Sequence, residues 1–323
     1  MLEIKNLHVH FKVYAGMLKV LHGIDLTVGK KQKVGLIGEA GCGKTTTMKA
    51  ILRILSNNAL IPEGAISFNG RDILKLDTKN LQAIRRKSIS MIFQDPTAAL
   101  NPVFKIGTQL SDTIKFSHMA IGNKHRKDEV KEEAIRILKE VALPDPERML
   151  GSYPFQLSGG MRQRVCIAMS LVAANELLIA DEPGTSLDVT IEDQIMRLIG
   201  RLVEERGISV ILISHALGAV KGLVDSVYVM YAGTIVEVAD TEELFLNPLH
   251  PYTSSLIRAI PKITGGGIPQ SIPGRIVSYL DPPKGCRFFP RCGSAKSLCE
   301  NMRPPLFDID GRHKVACFEF EGS

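Results

Sequence analysis

The chain has 323 residues, 45% hydrophobic and 23% charged, with a net charge of +6. That balance suits a buried core spread over about two domains and excludes bulk disorder, collagen-like repeats and low-complexity classes. The absence of Trp and an aromatic fraction of 6% argue against an aromatic sugar groove or a stacking platform for single-stranded nucleic acid.

No apolar run approaches the roughly 18 residues of a membrane span. The opening MLEIKNLHVHFK lacks a signal-peptide core, so a cytosolic chain is expected. The mild excess of base suits an anionic ligand or a membrane surface without singling out either. Six cysteines stand at positions 42, 166, 286, 292, 299 and 317, four of them near the end. In a cytosolic chain such a cluster points to a metal or cluster site rather than disulfides.

In chain order, residues 2–11 and 23–28 read as strands. Val34–Gly38 is an apolar run that stops at Gly38-Glu-Ala-Gly-Cys-Gly-Lys-Thr45, and a helix is predicted over Thr46–Leu55. Strand, glycine-rich loop, helix is the start of a P-loop unit. Gly38, Ala40, Gly41, Cys42 and Gly43 let backbone N–H groups turn toward phosphate, and the helix that follows offers its positive end. Lys44 is then expected on the β/γ phosphates and the Thr45 hydroxyl on Mg²⁺, with Thr46 beside it.

Residues 64–70 and Ser88–Gln94 read as further strands. From about 102 to 175 the pattern becomes helical. Over Lys124–Leu143, Val130, Ala134, Ile137, Leu138 and Val141 share one face. The runs Leu177–Ala180 and Val210–Ser214 are short and aliphatic, separated by an amphipathic helix over Ile191–Glu205. Buried strands alternating with helices predict an α/β fold with a largely parallel sheet. Beyond about residue 245 Pro, Gly and Ser become dense and long elements vanish.

Leu177-Leu-Ile-Ala-Asp181-Glu182-Pro183 delivers two acids to the carboxyl end of a buried strand. Asp181 is placed to hold Mg²⁺ and Glu182 to polarise an attacking water.

Leu157-Ser158-Gly159-Gly160-Met161-Arg162-Gln163-Arg164 resembles the signature motif of ATP-binding-cassette (ABC) ATPases. In that family a Ser-Gly-Gly turn, here Ser158, Gly159 and Gly160, binds the γ-phosphate held by the opposite subunit. The resemblance extends further. Gln94 looks like the glutamine that senses Mg²⁺ and the attacking water, Ser186-Leu187-Asp188 like the D-loop, and His215 like the switch histidine. Tyr14, ahead of Phe11, is the candidate for stacking on adenine. FQDPTAALNP (93–102), YPFQLSGGMRQR (153–164) and NPLHPYT (247–253) are similar to the ATPase subunits of dipeptide/oligopeptide ABC importers. Met161, Gly184, Ala40 and Cys42 depart from the usual residues, but Lys44, Gln94, Asp181, Glu182 and His215 are all present.

The resemblance implies an ATPase domain over 1–245, with its helical subdomain at about 102–175, and a small irregular extension over 246–323. It implies ATP and Mg²⁺ as ligands and a peripheral position on the cytoplasmic face of the membrane. The implied partners are two transmembrane permease subunits, a second similar ATPase (as a heterodimer, or the chain itself as a homodimer) and, indirectly, an extracytoplasmic solute-binding protein. No nucleic acid is expected. The alternatives are a soluble ABC ATPase of nucleic-acid repair or ribosome work, and a regulatory module with a vestigial nucleotide site.

The spacing Cys286-x5-Cys292-x6-Cys299-x17-Cys317 matches neither a standard zinc site nor the common ferredoxin patterns. Chemistry alone leaves zinc and iron–sulfur level, with free thiols third. The resemblance favours a [4Fe–4S] cluster on Cys286, Cys292, Cys299 and Cys317, with zinc as runner-up. A Pro-rich extension with little core of its own would need such a staple.

Overall fold

The structure, a computed structural model, describes residues 1–119, 126–185, 187–214, 217–260 and 272–322. The chain divides into two compact units, Met1–Gly29 with Lys33–Lys75 and Ser214–Ser323, and Lys30–Gln32 with Leu76–Ile213. The fold is α/β, as expected.

The first unit opens with a hairpin, Leu2–Val13 against Gly16–Val28, zipped from Leu2↔Val28 to Val13↔Gly16. The second strand therefore begins well before residue 23. Its first half pairs from Gly16 to Lys19 and again at Leu21, across a register shift at Val20, although its apolar alternation is weak. Leu2, Ile4, Leu7 and Val9 are at most 1% exposed. Ala59–Leu60 and Ala65–Phe68 pair antiparallel with Leu2–Val13. Arg71–Asp72 returns along Ala65–Phe68 after a turn with positive φ at Asn69 and Gly70.

In the same unit Lys33–Ile37 lies parallel to Ser226–Tyr231. Ser226–Tyr231 forms a hairpin with Thr234–Asp240, to which Lys314–Val315 and then Phe307–Asp308 are added. Neither strand of the 226–240 hairpin was anticipated. The turn Ala232-Gly233 has φ of 43° and 78°, a combination that tightly turned hairpins require. A Cβ on Gly233 would lie 1.7 Å from the Val20 carbonyl oxygen, so only glycine fits.

The residues after 245 pack onto this sheet. Tyr231 and Tyr252 are fully buried and, with Phe288 at 2% exposure, form an aromatic cluster with ring centroids 4.8–5.5 Å apart. Glu237, itself 0% exposed, ties three segments together. Its carboxylate accepts from Leu249 N–H (2.8 Å) and His250 N–H (2.9 Å), and bonds His313 Nε2 (2.7 Å). His250 caps the helix Pro251–Arg258, its Nδ1 accepting from Tyr252 N–H at 3.0 Å.

In the second unit Ile89–Ile92, Leu177–Asp181 and Ser209–Ile213 form parallel ladders. All five residues of each of the last two strands are buried, which explains their unbroken apolar character. Helices Ile106–Met119, Lys127–Glu140 and Gly159–Ala173 pack together in the helical part. The expected face holds: Val130, Ala134, Ile137, Leu138 and Val141 are at most 3% exposed. Val189–Arg206 ends at Gly207, whose φ of 61° supplies the left-handed turn that stops a helix.

Glu237→Ala leaves buried donors without an acceptor, and its expected cost is about 3–5 kcal/mol, read by thermal or denaturant unfolding. Burial pushes His250 down from 6.5 to about 3, so the ring stays neutral and its Nδ1 keeps the lone pair that caps the helix. The unfolded chain binds that proton more readily, so stability is lost as pH falls from about 6.5 toward 3. His250→Asn keeps a capping acceptor without a titrating group and should flatten the stability–pH slope in that window.

Candidate functional site

The phosphate loop closes the strand Lys33–Ile37. Gly38 has a φ of 152° and Gly43 one of 112°. A Cβ on Gly38 would meet the Met230 carbonyl oxygen at 2.1 Å, and one on Gly43 would meet Leu21 Cδ2 at 2.7 Å. These glycines are required both by conformation and by close approach. Helix Lys44–Ile51 starts directly at Gly43, two residues before the expected Thr46. Ala40 and Gly41 face solvent, while Thr45 and Thr46 are half-buried. A Cβ on Gly41 would meet nothing within 4 Å, so the loop is open there for a ligand.

Lys44 is 5% exposed, and its Nζ donates to the carbonyls of Gly38 (2.7 Å) and Glu39 (3.1 Å). The ammonium is thus already held inside the loop where a phosphate would sit. Cys42 is 0% exposed, and burial pushes its thiol up, so it stays protonated. Around the loop, Glu39 N–H donates to Tyr252 Oη (2.8 Å), Tyr279 Oη donates to Gly41 O (2.7 Å) and Gly233 N–H donates to Cys42 O (2.7 Å). These partners were missed in the sequence, because tyrosines so far along the chain carry no local signal of the loop they touch.

Tyr14 lies at the tip of the N-terminal hairpin and is fully exposed. Phe11 sits within the sheet, opposite Leu18 on one side and Ala59 on the other. Of the two, Tyr14 is the more exposed ring.

In the second unit Asp181 ends its strand at 2% exposure, opposite Ile213 of the next strand. Glu182 turns out of the sheet with a φ of 47°, its N–H donating to Ile213 O at 2.9 Å. Its Oε2 accepts from Gln94 Nε2 (3.0 Å) and Thr185 Oγ1 (3.2 Å). Gln94, assigned by resemblance, and Glu182, read from the acids that end the strand, are therefore in direct contact.

Ser158 caps helix Gly159–Ala173, its Oγ accepting from Met161 N–H at 3.3 Å. The glycines beside it have a second reason to be glycine. A Cβ on Gly159 would come within 3.0 Å of Leu187, and one on Gly160 within 2.9 Å of Ile191. Asp188 is exposed and begins helix Val189–Arg206. Cys166 is buried and pushed up to about 12 by that burial, as a small packing residue would be. Ser186 and His215 lie outside the described residues.

The cysteine cluster is a correction. Among the described residues no group of three or more His, Cys, Asp or Glu side chains is arranged to hold a metal ion. Cys286, Cys292, Cys299 and Cys317 are free. Burial pushes Cys286 up to about 11 and also raises Cys292 and Cys317. The [4Fe–4S] site and its zinc runner-up therefore fall. The staple they were to provide is unnecessary, because the tail is held by the aromatic cluster, the Glu237 node and added strands.

A glycine loop with a buried lysine, an acid-ended parallel strand and a capped Ser-Gly-Gly helix define a P-loop ATPase of the cassette type. The ABC transporter family matches residues 21–185, and the oligopeptide/dipeptide transporter C-terminal region matches 236–299. The chain belongs to the ABC transporter family. It is 41% identical over 97% of its length to the dipeptide transport ATP-binding protein DppD of Lactococcus lactis, of which it covers 88%. It is 40% identical over 99% of its length to the oligopeptide transport ATP-binding protein OppD of Salmonella typhimurium, of which it covers 93%. Among solved structures, the ATP-binding cassette MJ0796, a dimer in a post-hydrolysis state bound to ADP and Pi, is similar with a TM-score of 0.66 at 25% identity. That likeness covers 75% of this chain and 99% of that one.

Gly160→Ala should destabilise the protein by about 1–3 kcal/mol through the contact with Ile191, a shift that thermal unfolding detects.

Proposed function

We propose that this chain is the ATP-hydrolysing subunit of a peptide importer, peripheral on the cytoplasmic face of the membrane. In this reading it works with two transmembrane permease subunits and a second, similar ATPase, while the cargo is carried by a solute-binding protein and the permeases and never contacts this chain. The observation that carries the reading is near-full-length identity of about 40% to peptide-transport ATPases, reaching into the C-terminal extension. That reach weighs against a soluble ABC protein of nucleic-acid or ribosome work. No helix of the described residues is long and apolar enough to cross a membrane, so the pore falls to other chains. The reading assigns the motor to residues 1–245, with its helical part at about 102–175, and the accessory extension to 246–323.

The site chemistry fits nucleotide hydrolysis. The loop 38–43 supplies N–H groups for phosphate oxygens, and Lys44 exchanges its carbonyl partners for the β/γ phosphates. Thr45, Gln94 and Asp181 offer the hard oxygen donors that Mg²⁺ takes, and the ion when bound offsets phosphate charge. Glu182 orients and deprotonates water, with Gln94 and Thr185 fixing its carboxylate. His215 is assigned to the γ-phosphate and Tyr14 to the adenine. Ser158, Gly159, Gly160 and Asp188 are assigned to the nucleotide of the opposite ATPase, at a helix N-terminus suited to an anion.

Glu182→Gln should leave nucleotide binding intact and lower turnover by about 10²–10⁴-fold. Wild-type protein assembled with its permeases that hydrolyses no ATP would overturn the reading.

A further inference from the structure

A phosphate loop gains nothing from a carboxylate of its own, since a fixed negative charge beside a polyphosphate repels it. This loop carries one at Glu39, directly after Gly38. The structure neutralises it from the far end of the chain. Arg291 meets Glu39 in a two-pronged ion pair, Nη1 to Oε2 at 2.8 Å and Nη2 to Oε1 at 3.2 Å. The Arg291 side chain is 3% exposed.

The remaining donors of Arg291 are also engaged. Nε donates to Pro273 O (2.7 Å), Nη2 to Ile272 O (3.2 Å) and Nη1 to Tyr231 Oη (3.4 Å). A planar fork held at every edge presents its charge in one pose. Two further groups from beyond residue 245 reach the loop backbone, Tyr252 Oη at Glu39 N–H and Tyr279 Oη at Gly41 O. The extension therefore touches the side chain, an amide and a carbonyl of the phosphate loop.

We propose that the C-terminal extension sets the nucleotide affinity of the phosphate loop. Arg291 cancels the Glu39 charge and anchors that residue, and Tyr279 and Tyr252 hold the loop peptides. All three are positioning residues, acting on ATP through the loop and not by contact. The inference rests on the ATPase reading above.

The test is Mg²⁺-dependent binding of a fluorescent ATP analogue by the full-length chain, alongside steady-state hydrolysis in the assembled transporter. Arg291→Gln strands the Glu39 charge and should weaken binding about tenfold. The loss should appear in KM for ATP, with kcat at saturating ATP within about threefold. Adding Glu39→Gln removes the repulsion, so the double variant should recover to within about threefold of wild type. Tyr279→Phe, which removes one hydrogen bond, should weaken binding about threefold at an unchanged melting temperature.

A folded Arg291→Gln protein with wild-type affinity overturns the proposal, as does a loss that Glu39→Gln fails to relieve. If Arg291→Gln does not fold, Tyr279→Phe decides: weakened binding supports the proposal and unchanged binding overturns it. Wild-type protein that binds no nucleotide overturns the ATPase reading as well, whereas wild-type binding with unmoved variants overturns this inference alone.

Discussion

A phosphate cradle depends on backbone N–H groups turned toward one point, and every peptide group turned the other way must then find a partner elsewhere. That constraint organises the first unit. Gly38 passes so close to the Met230 carbonyl that no side chain fits. The carbonyls of Gly41 and Cys42 and the amide of Glu39 are taken by Tyr279, Gly233 and Tyr252. The hairpin turn at Gly233 and the buried tyrosines thus stand behind the loop as its outer shell. A segment that reads as an irregular tail proves to be part of what keeps the loop in shape.

The second unit meets a different demand, that of placing acids at the edge of a dry sheet. Continuous burial of Leu177–Asp181 and Ser209–Ile213 fixes where the strand ends, and the left-handed turn at Glu182 swings its carboxylate toward Gln94. Packing also explains the signature glycines. They free N–H groups at a helix start, and they make room for Leu187 and Ile191.

Several features were legible because their signals are local. The loop Gly38–Thr45, the acids after an aliphatic run and the stripe on Lys127–Glu140 each follow from spacing over a few residues. The hairpin Ser226–Asp240 has a local signal too, in its alternating Val227, Val229, Ile235 and the Ala232-Gly233 turn. The cysteines show the opposite failure. Their clustering in sequence suggested a shared ligand, yet among the described residues no group is arranged to hold a metal ion, and the tail is secured by other means.

Residue types and short spacings were enough to mark the glycine-rich loop of P-loop pattern, the acids that end the strand and the helix that begins with Ser-Gly-Gly. Those assignments depend on residue type and short spacing. What supports them appears only in the folded chain. Arg291 on Glu39, Tyr279 on Gly41 and His313 on Glu237 join residues far apart in the chain. Such pairs leave no periodic trace, because each forms only where the folded core brings two distant polar groups together, and their mutual attraction there offsets the cost of taking both from water.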